Sequence, residues 1–474
     1  MKSTIVFAGL LVLFVADAAN AATCAWAGGG ADNNWSSAAN WSNCGGGQPN
    51  SGDSLVFPDG AARLVNNNDL VSFGAAHLQV DGIDYVIGGA AISLSGGIGA
   101  NVPAGAIKDK SPQLALDIRL LASQTFQSSG PRPVVLKGTL DLNAHKLTVD
   151  GNTNVTIQGN IIGSGGIDKN GVGSLFLSGP ASTYSGATTI NSGTVIARSD
   201  NALGATGSGN DCVVLSGASL LIGAHAHVAE KVALAGSGFG GQGALGNESG
   251  DNTIDGDLFV NSIFNAAISN TVADTTLTVG GIVSGTGTLT KGGAGTVRMA
   301  NVNTNSGSTI VAAGTLDVTG VLGAVTVNSG GTLSGTGVVG NIALKSGAAV
   351  SPGGRPGTID AGLMTWNGGG VLALELGPSA SRSDLLQLSG PLSKGTAGTF
   401  SVAFGDAATP PVPGVTYTLI AFPSTDFSVG DFSSSYVGTG PGASMDGAFE
   451  LTATELRYTP ATVVSDLILR DGYE

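Results

Sequence analysis

From about residue 60 onward, apolar and polar residues alternate in short runs, each closed by Gly, Asn, Ser or Asp. Alternation with period two turns one side of a segment inward and the other outward, so these runs predict β-strands joined by tight turns. Residues 138–143 followed by 146–150, and 289–290 followed by 296–299, are examples. Apolar spacing of three and four residues is nearly confined to the start of the chain; residues 111–123 are the best remaining candidate for a helical insertion. The fold class this predicts is all-β.

The pattern repeats. Residues 163–177 read GSGGIDKNGVGSLFL and are followed by Thr183-Tyr184-Ser185-Gly186 and then by Gly193-Thr194-Val195. Residues 285–299 read GTGTLTKGGAGTVRM and are followed by Thr304-Asn305-Ser306-Gly307 and Gly314-Thr315-Leu316. Lys169 and Lys291 lie 122 residues apart and Gly193 and Gly314 lie 121 apart, so the copies stay in phase but for one residue. A degenerate third stretch covers 328–338. One such unit cannot bury its apolar side alone. Stacked coils can, each pairing its strands with the next at about 4.8 Å. The expected architecture is a right-handed parallel β-helix or β-solenoid, with roughly 15 to 20 coils of about 22 residues spanning about 70 to 100 Å. An array of β-sandwiches, the alternative, would show discrete linkers and domains of about 100 residues.

These copies resemble the autotransporter-associated β-strand repeat, whose pattern runs Gly-x-Gly-x-Leu-x-Lys-x-Gly-x-Gly-x-Leu-x-Leu, then Thr-Tyr-x-Gly, then Gly-Thr-Leu. The matching positions are Gly165, Lys169, Gly171, Gly173, Tyr184, Gly186 and Gly193 in the first copy, and Gly287, Lys291, Gly293, Gly295, Gly307 and Gly314 in the second. Asn305 stands where the pattern has its tyrosine. Trp26, Trp35 and Trp41, then Pro49, Gly52-Asp53 and Val56-Phe57, resemble the opening of such passengers, and 351–420 resembles their usual end. The resemblance implies a passenger-type surface protein. A true autotransporter would continue into a membrane β-barrel of about 12 strands, whereas only a short tail follows Pro460; a separate outer-membrane transporter is therefore the expected partner in export. The division expected is a signal peptide at 1–21, a Trp/Cys cap at 22–60, the solenoid at 61–345 with repeats at 163–196 and 285–317, a C-terminal β region at 346–460 and a tail at 461–474. That tail resembles short Phe-x-x-Gly-Phe-Glu endings of some exported bacterial proteins and is a candidate sorting signal.

The start of the chain changes the picture in one respect. Met1-Lys2, an apolar run over 5–15 and Ala19-Asn20-Ala21 follow the order of a secretory signal peptide, with cleavage expected after Ala21. Residues 21–23 lack the lipoprotein pattern ahead of Cys24, so free export across the inner membrane is expected, to the outer surface or medium, with the periplasm as the alternative. No later segment has the length and apolarity of a membrane span, so no integral membrane segment is expected. Once exported, Cys24 and Cys44 enter an oxidising compartment on either side of a tryptophan-rich segment, and a disulfide between them is expected. Cys212 reads as a small buried apolar residue.

Composition agrees. The chain holds 78 glycines among 474 residues and only 11% charged residues, while its mean hydropathy is positive; it is neither disordered nor collagen-like. With a net charge of -14 and scattered Lys and Arg, nucleic-acid binding is not expected, because phosphate neutralisation needs a basic patch.

Candidate chemistry is sparse. Parallel β-helices also house polysaccharide lyases and hydrolases, and Asp255 and Asp257, with Asp251 and Glu248 nearby, form the densest acidic group. On a period-two strand the pair would share one face, suiting a calcium ion or an acid–base pair; turn carboxylates that cap backbone are commoner. His225 and His227 alternate in the same way, without a third ligand. Catalytic residues and cofactors are expected to be none, and the ligand a cell-surface, matrix or polysaccharide component. The reading is a non-enzymatic structural or adhesive passenger; the alternative is a secreted carbohydrate-active β-helix enzyme.

Overall fold

The computed structural model describes residues 21–461 apart from 105–109, 208, 210, 355, 406–410 and 437–445. The signal peptide and the sorting tail expected from the sequence therefore lie almost wholly outside the described residues.

The chain winds as a parallel β-helix with three faces. Thirteen strands, ending at Val283–Gly285, make the ladder of the first face, and sixteen, from Val65–Asn68 to Leu392–Lys394, make the second. The third face carries five strands from Gly74–Ala75 to Ile161–Ile162 and, further on, ten from His227–Val228 to Phe432–Tyr436. A seven-stranded ladder beginning at Val321–Leu322 continues the first face, because residues 302–305 bond back to Val283 and pair forward with Val321. Nearly every pairing is parallel and in register. At about 4.8 Å per strand the second face is roughly 70 Å long.

The interior follows from the alternation. Along Thr276–Val279, Thr296–Met299, Gly314–Val318 and Gly331–Gly335, the inward residues Leu277, Val297, Leu316 and Leu333 stack in register and are fully buried. Each such side chain is worth about 1.5 to 3 kcal/mol relative to exposure. The spacing of about 22 residues is an average over unequal coils: Leu316 to Leu333 takes 17 residues and Val232 to Leu258 takes 26.

One expectation fails. Residues 111–123 hold no helix; they contain the strands Gln113–Leu114 and Ile118–Leu120, with Leu114, Leu116, Ile118 and Leu120 all buried. A spacing of four residues satisfies both a period of 2 and one of 3.6, so Leu114/Ile118 and Leu116/Leu120 fit either reading, and pairing with the neighbouring coils decides it.

Both ends close with antiparallel strands. Trp41–Ser42 lies antiparallel against the first strand, Thr23–Trp26, and Trp26, Trp35, Trp41, Phe57 and Phe73 pack edge to face or tilted over the open end of the core. At the other end Gly447–Leu451 and Glu455–Pro460 form a hairpin laid antiparallel on Tyr417–Ala421.

Candidate functional site

Each repeat copy is built around its lysine. Lys169 and Lys291 point inward from Ile167–Lys169 and Leu289–Gly292 and are 1% exposed. Their ammoniums turn to backbone carbonyls at the next corner. Lys291 Nζ donates to Gly293 O at 2.7 Å, Gly295 O at 2.6 Å and Ala313 O at 2.7 Å; Lys169 Nζ donates to Gly171 O and, at 3.3 Å, to Ser192 O. One carbonyl in each set belongs to the following coil, so the lysine ties two coils together at a corner. Burial pulls both ammoniums down to about 8.

The signature glycines make room for this. Gly193 and Gly314 have left-handed backbone, φ +69° and +61°, and a β-carbon on either would press against the lysine Nζ. The remainder stack coil on coil: a β-carbon at Gly186 would collide with Gly165 and one at Gly307 with Gly287, while Gly171, Gly173, Gly293 and Gly295 meet backbone of the preceding coil. In the Thr-x-Ser-Gly elements the amides of Thr183 and Tyr184 both donate to Ile161 O, and those of Thr304 and Asn305 both donate to Val283 O. Tyr184 is fully buried with its hydroxyl 2.7 Å from Thr188 Oγ1. Asn305 instead donates to Gly287 O at 3.0 Å.

The copies are rotated relative to one another. Lys169 sits on the first face; five coil steps further along that face comes Val283–Gly285, and Lys291 is on the next strand, on the second face. The spacing of 122 residues is thus five coils and one side of the triangle.

The acidic and histidine candidates do not share one strand face: Asp251 precedes the strand Asn252–Ile254, Asp255 and Asp257 follow it, and the carboxylates of Asp251 and Asp257 serve the backbone. Asp251 Oδ1 accepts Thr276 N at 2.7 Å and Asp257 Oδ1 accepts Ile282 N at 3.0 Å, each from the following coil. Asp255 is half exposed, with His227 Nδ1 at 3.7 Å from Oδ2. His225 is not on the strand with His227: it lies in the preceding turn with φ +61° and contacts Asp251 O at 3.2 Å. Cys24 and Cys44 are joined, with Cα atoms 4.7 Å apart. Among the described residues one group has ligand-type atoms close enough to hold a metal, Cys24, Cys44 and Asp53. The two sulfurs are bonded to each other, and Asp53 accepts the amides of Ala22 at 2.7 Å and Asn50 at 2.8 Å.

Two features escape a reading of the sequence. Glu230 is 3% exposed, its Oε2 has no partner among the described residues, and burial pushes its carboxyl up to about 7. Arg198 bonds Glu248 through Nε at 2.8 Å and stacks 4.5 Å over the Phe176 ring. A separation of 50 residues hides that pair in a linear reading.

The fold and these clamps define a parallel β-helix whose two repeat copies are each tied across coils by a buried lysine. The passenger-associated-transport-repeat family matches at residues 167–197 and 289–318. Over 179 residues, 38% of this chain, the sequence is 33% identical to the Adhesin BmaC autotransporter of Brucella suis biovar 1 (strain 1330). The chain spans about 5% of the length of that curated relative. No helix among the described residues is long and apolar enough to cross a membrane.

Proposed function

We propose that this chain is an exported, non-enzymatic passenger rod that presents adhesive surface at or beyond the outer face of the cell. The observation that carries the reading is the pair of buried lysine clamps within matched transport repeats: the most distinctive residues of the sequence are spent on holding coils together. The similarity to a protein named as an adhesin supports the adhesive part. A Cys24–Cys44 disulfide and a fold with capped ends fit residence outside the cytoplasm. A separate outer-membrane transporter is the partner this reading calls for, and a cell-surface, matrix or polysaccharide component is its ligand.

The enzymatic alternative draws no comparable support, since Asp251 and Asp257 are engaged as backbone caps. Antibody labelling of intact cells, with binding of the purified full chain to cells, matrix proteins and polysaccharides, tests the proposal. Surface labelling with saturable binding is expected. A strictly cytoplasmic pool, or polysaccharide cleavage abolished by Asp255→Ala or Asp257→Ala, would overturn it.

A further inference from the structure

In a solenoid each coil contacts only its neighbours, so stability is normally spread along the rod as a sum of local terms. One stretch departs from this. Gly193–Ala197 and Ala218–Ile222 are buried at all five positions, and Leu245–Asn247 at all three. Val195, Leu220 and Leu245 face the interior; Ile196, Leu221 and Gly246, in register beside them, face outward and are covered all the same.

A strap supplies part of the cover. Residues 235–244 leave the first face after Val232–Leu234 and lie back over the second: Ser219 Oγ donates to Gly243 O at 2.7 Å and accepts Phe239 N at 2.8 Å. Gly236, Gly238, Gly240, Gly241 and Gly243 all have positive φ, which lets so short a segment double back. On the other side of the outward stripe Arg198 reaches Glu248 across the intervening coil, where Gly223 offers no side chain; a β-carbon there would meet the Glu248 carboxylate. This contact joins a coil to the next but one.

We propose that the three coils carrying Gly193–Ala197, Ala218–Ile222 and Leu245–Asn247 form the cooperative stability core of the rod, one folding unit locked from outside by the strap and by Arg198–Glu248. Gly193–Ala197 and Ala218–Ile222 carry covered apolar side chains on both sides, Ile196 and Leu221 outward, so opening either exposes apolar surface twice over. The Arg198–Glu248 pair spans two coils, and the strap adds a second coupling from outside. The most stable part of the molecule is therefore central, running from the last strand of the first repeat copy toward the second, and neither end holds it.

Hydrogen exchange of the full chain under native conditions tests this without any variant. The slowest amides are expected in 193–197, 218–222 and 245–247; slowest exchange at either end of the rod overturns the proposal. Glu248→Gln should lower protection about fivefold in all three coils together, and Ser219→Ala should do so about tenfold through loss of both strap bonds. A loss confined to the substituted coil would show that the three do not act as a unit. Adhesion plays no part in this measurement, so its outcome is independent of the proposed function.

Discussion

A buried charge is retained in a protein interior when it satisfies groups that would otherwise be orphaned, and the clamp lysines do that for carbonyls of the glycine corners. Lys291→Met keeps the apolar stem and takes the ammonium donor from three carbonyls, of which Gly295 O keeps only the long bond from Thr315 N at 3.4 Å. It should cost about 2 to 4 kcal/mol, read as a lower unfolding midpoint in urea with faster exchange around 289–318. Lys169→Met should cost less, because that ammonium holds two carbonyls; equal losses would mean that the number of carbonyls does not set the cost, and absent losses that the clamps are dispensable. Glu230 works in the opposite sense. Its carboxyl is raised from 4.5 to about 7 by burial next to the equally buried Cys212 and Tyr184. The folded state then holds a proton that the unfolded state has released. Its contribution to stability is full below pH 4.5 and is lost as pH rises through 7. Glu230→Gln should flatten that part of the stability profile and leave the variant the more stable form at pH 8. A variant that retains the wild-type slope would place the titration elsewhere.

Among the elements, the N-terminal cap is the one stapled covalently. The Cys24–Cys44 bridge closes a separation of 20 residues, worth about 3 kcal/mol in chain entropy. Replacing both cysteines with serine should loosen the cap first, with limited proteolysis cutting within 22–60 while the solenoid fragment persists; simultaneous loss of the whole rod would argue that the cap and coils unfold together. Strands and coils of this kind are legible in a sequence, because alternation such as Thr296-Val297-Arg298-Met299 states both the element and its inward face. The lysine and glycine signature is legible as a repeat but not as a clamp, since the carbonyls that Lys291 holds are fixed only when Ala313 arrives one coil later. The one-face rotation between copies depends on the lengths of every intervening coil and cannot be read from either copy. The strap reads as one more glycine-rich turn. Residues 111–123 mislead for the related reason that pairing, absent from the linear pattern, chooses between two periods.

At the scale of the whole molecule, stacked parallel ladders create a hazard at each end, where the last strand offers unpaired N–H and C=O groups to any other copy. The antiparallel hairpin Gly447–Leu451/Glu455–Pro460 covers that edge by pairing with Tyr417–Ala421, and it seals the last coil with the fully buried Leu456 and Tyr458. Removing residues 446–474 should uncover the edge and an apolar end together, so the truncated chain is expected to associate end to end in a concentration-dependent way, seen as rising mass in light scattering. The truncation removes six acidic and two basic residues and leaves a net charge near -10; such copies repel one another, and salt screens that repulsion over about 10 Å at 0.1 M and less at higher salt. Association of the truncated chain should therefore strengthen as sodium chloride is added, whereas the intact chain should keep one mass throughout. A truncated chain that stays monomeric at high salt would show that edge closure lies elsewhere, in the aromatic packing of Trp366, Phe400, Phe427 and Phe432 that precedes the hairpin.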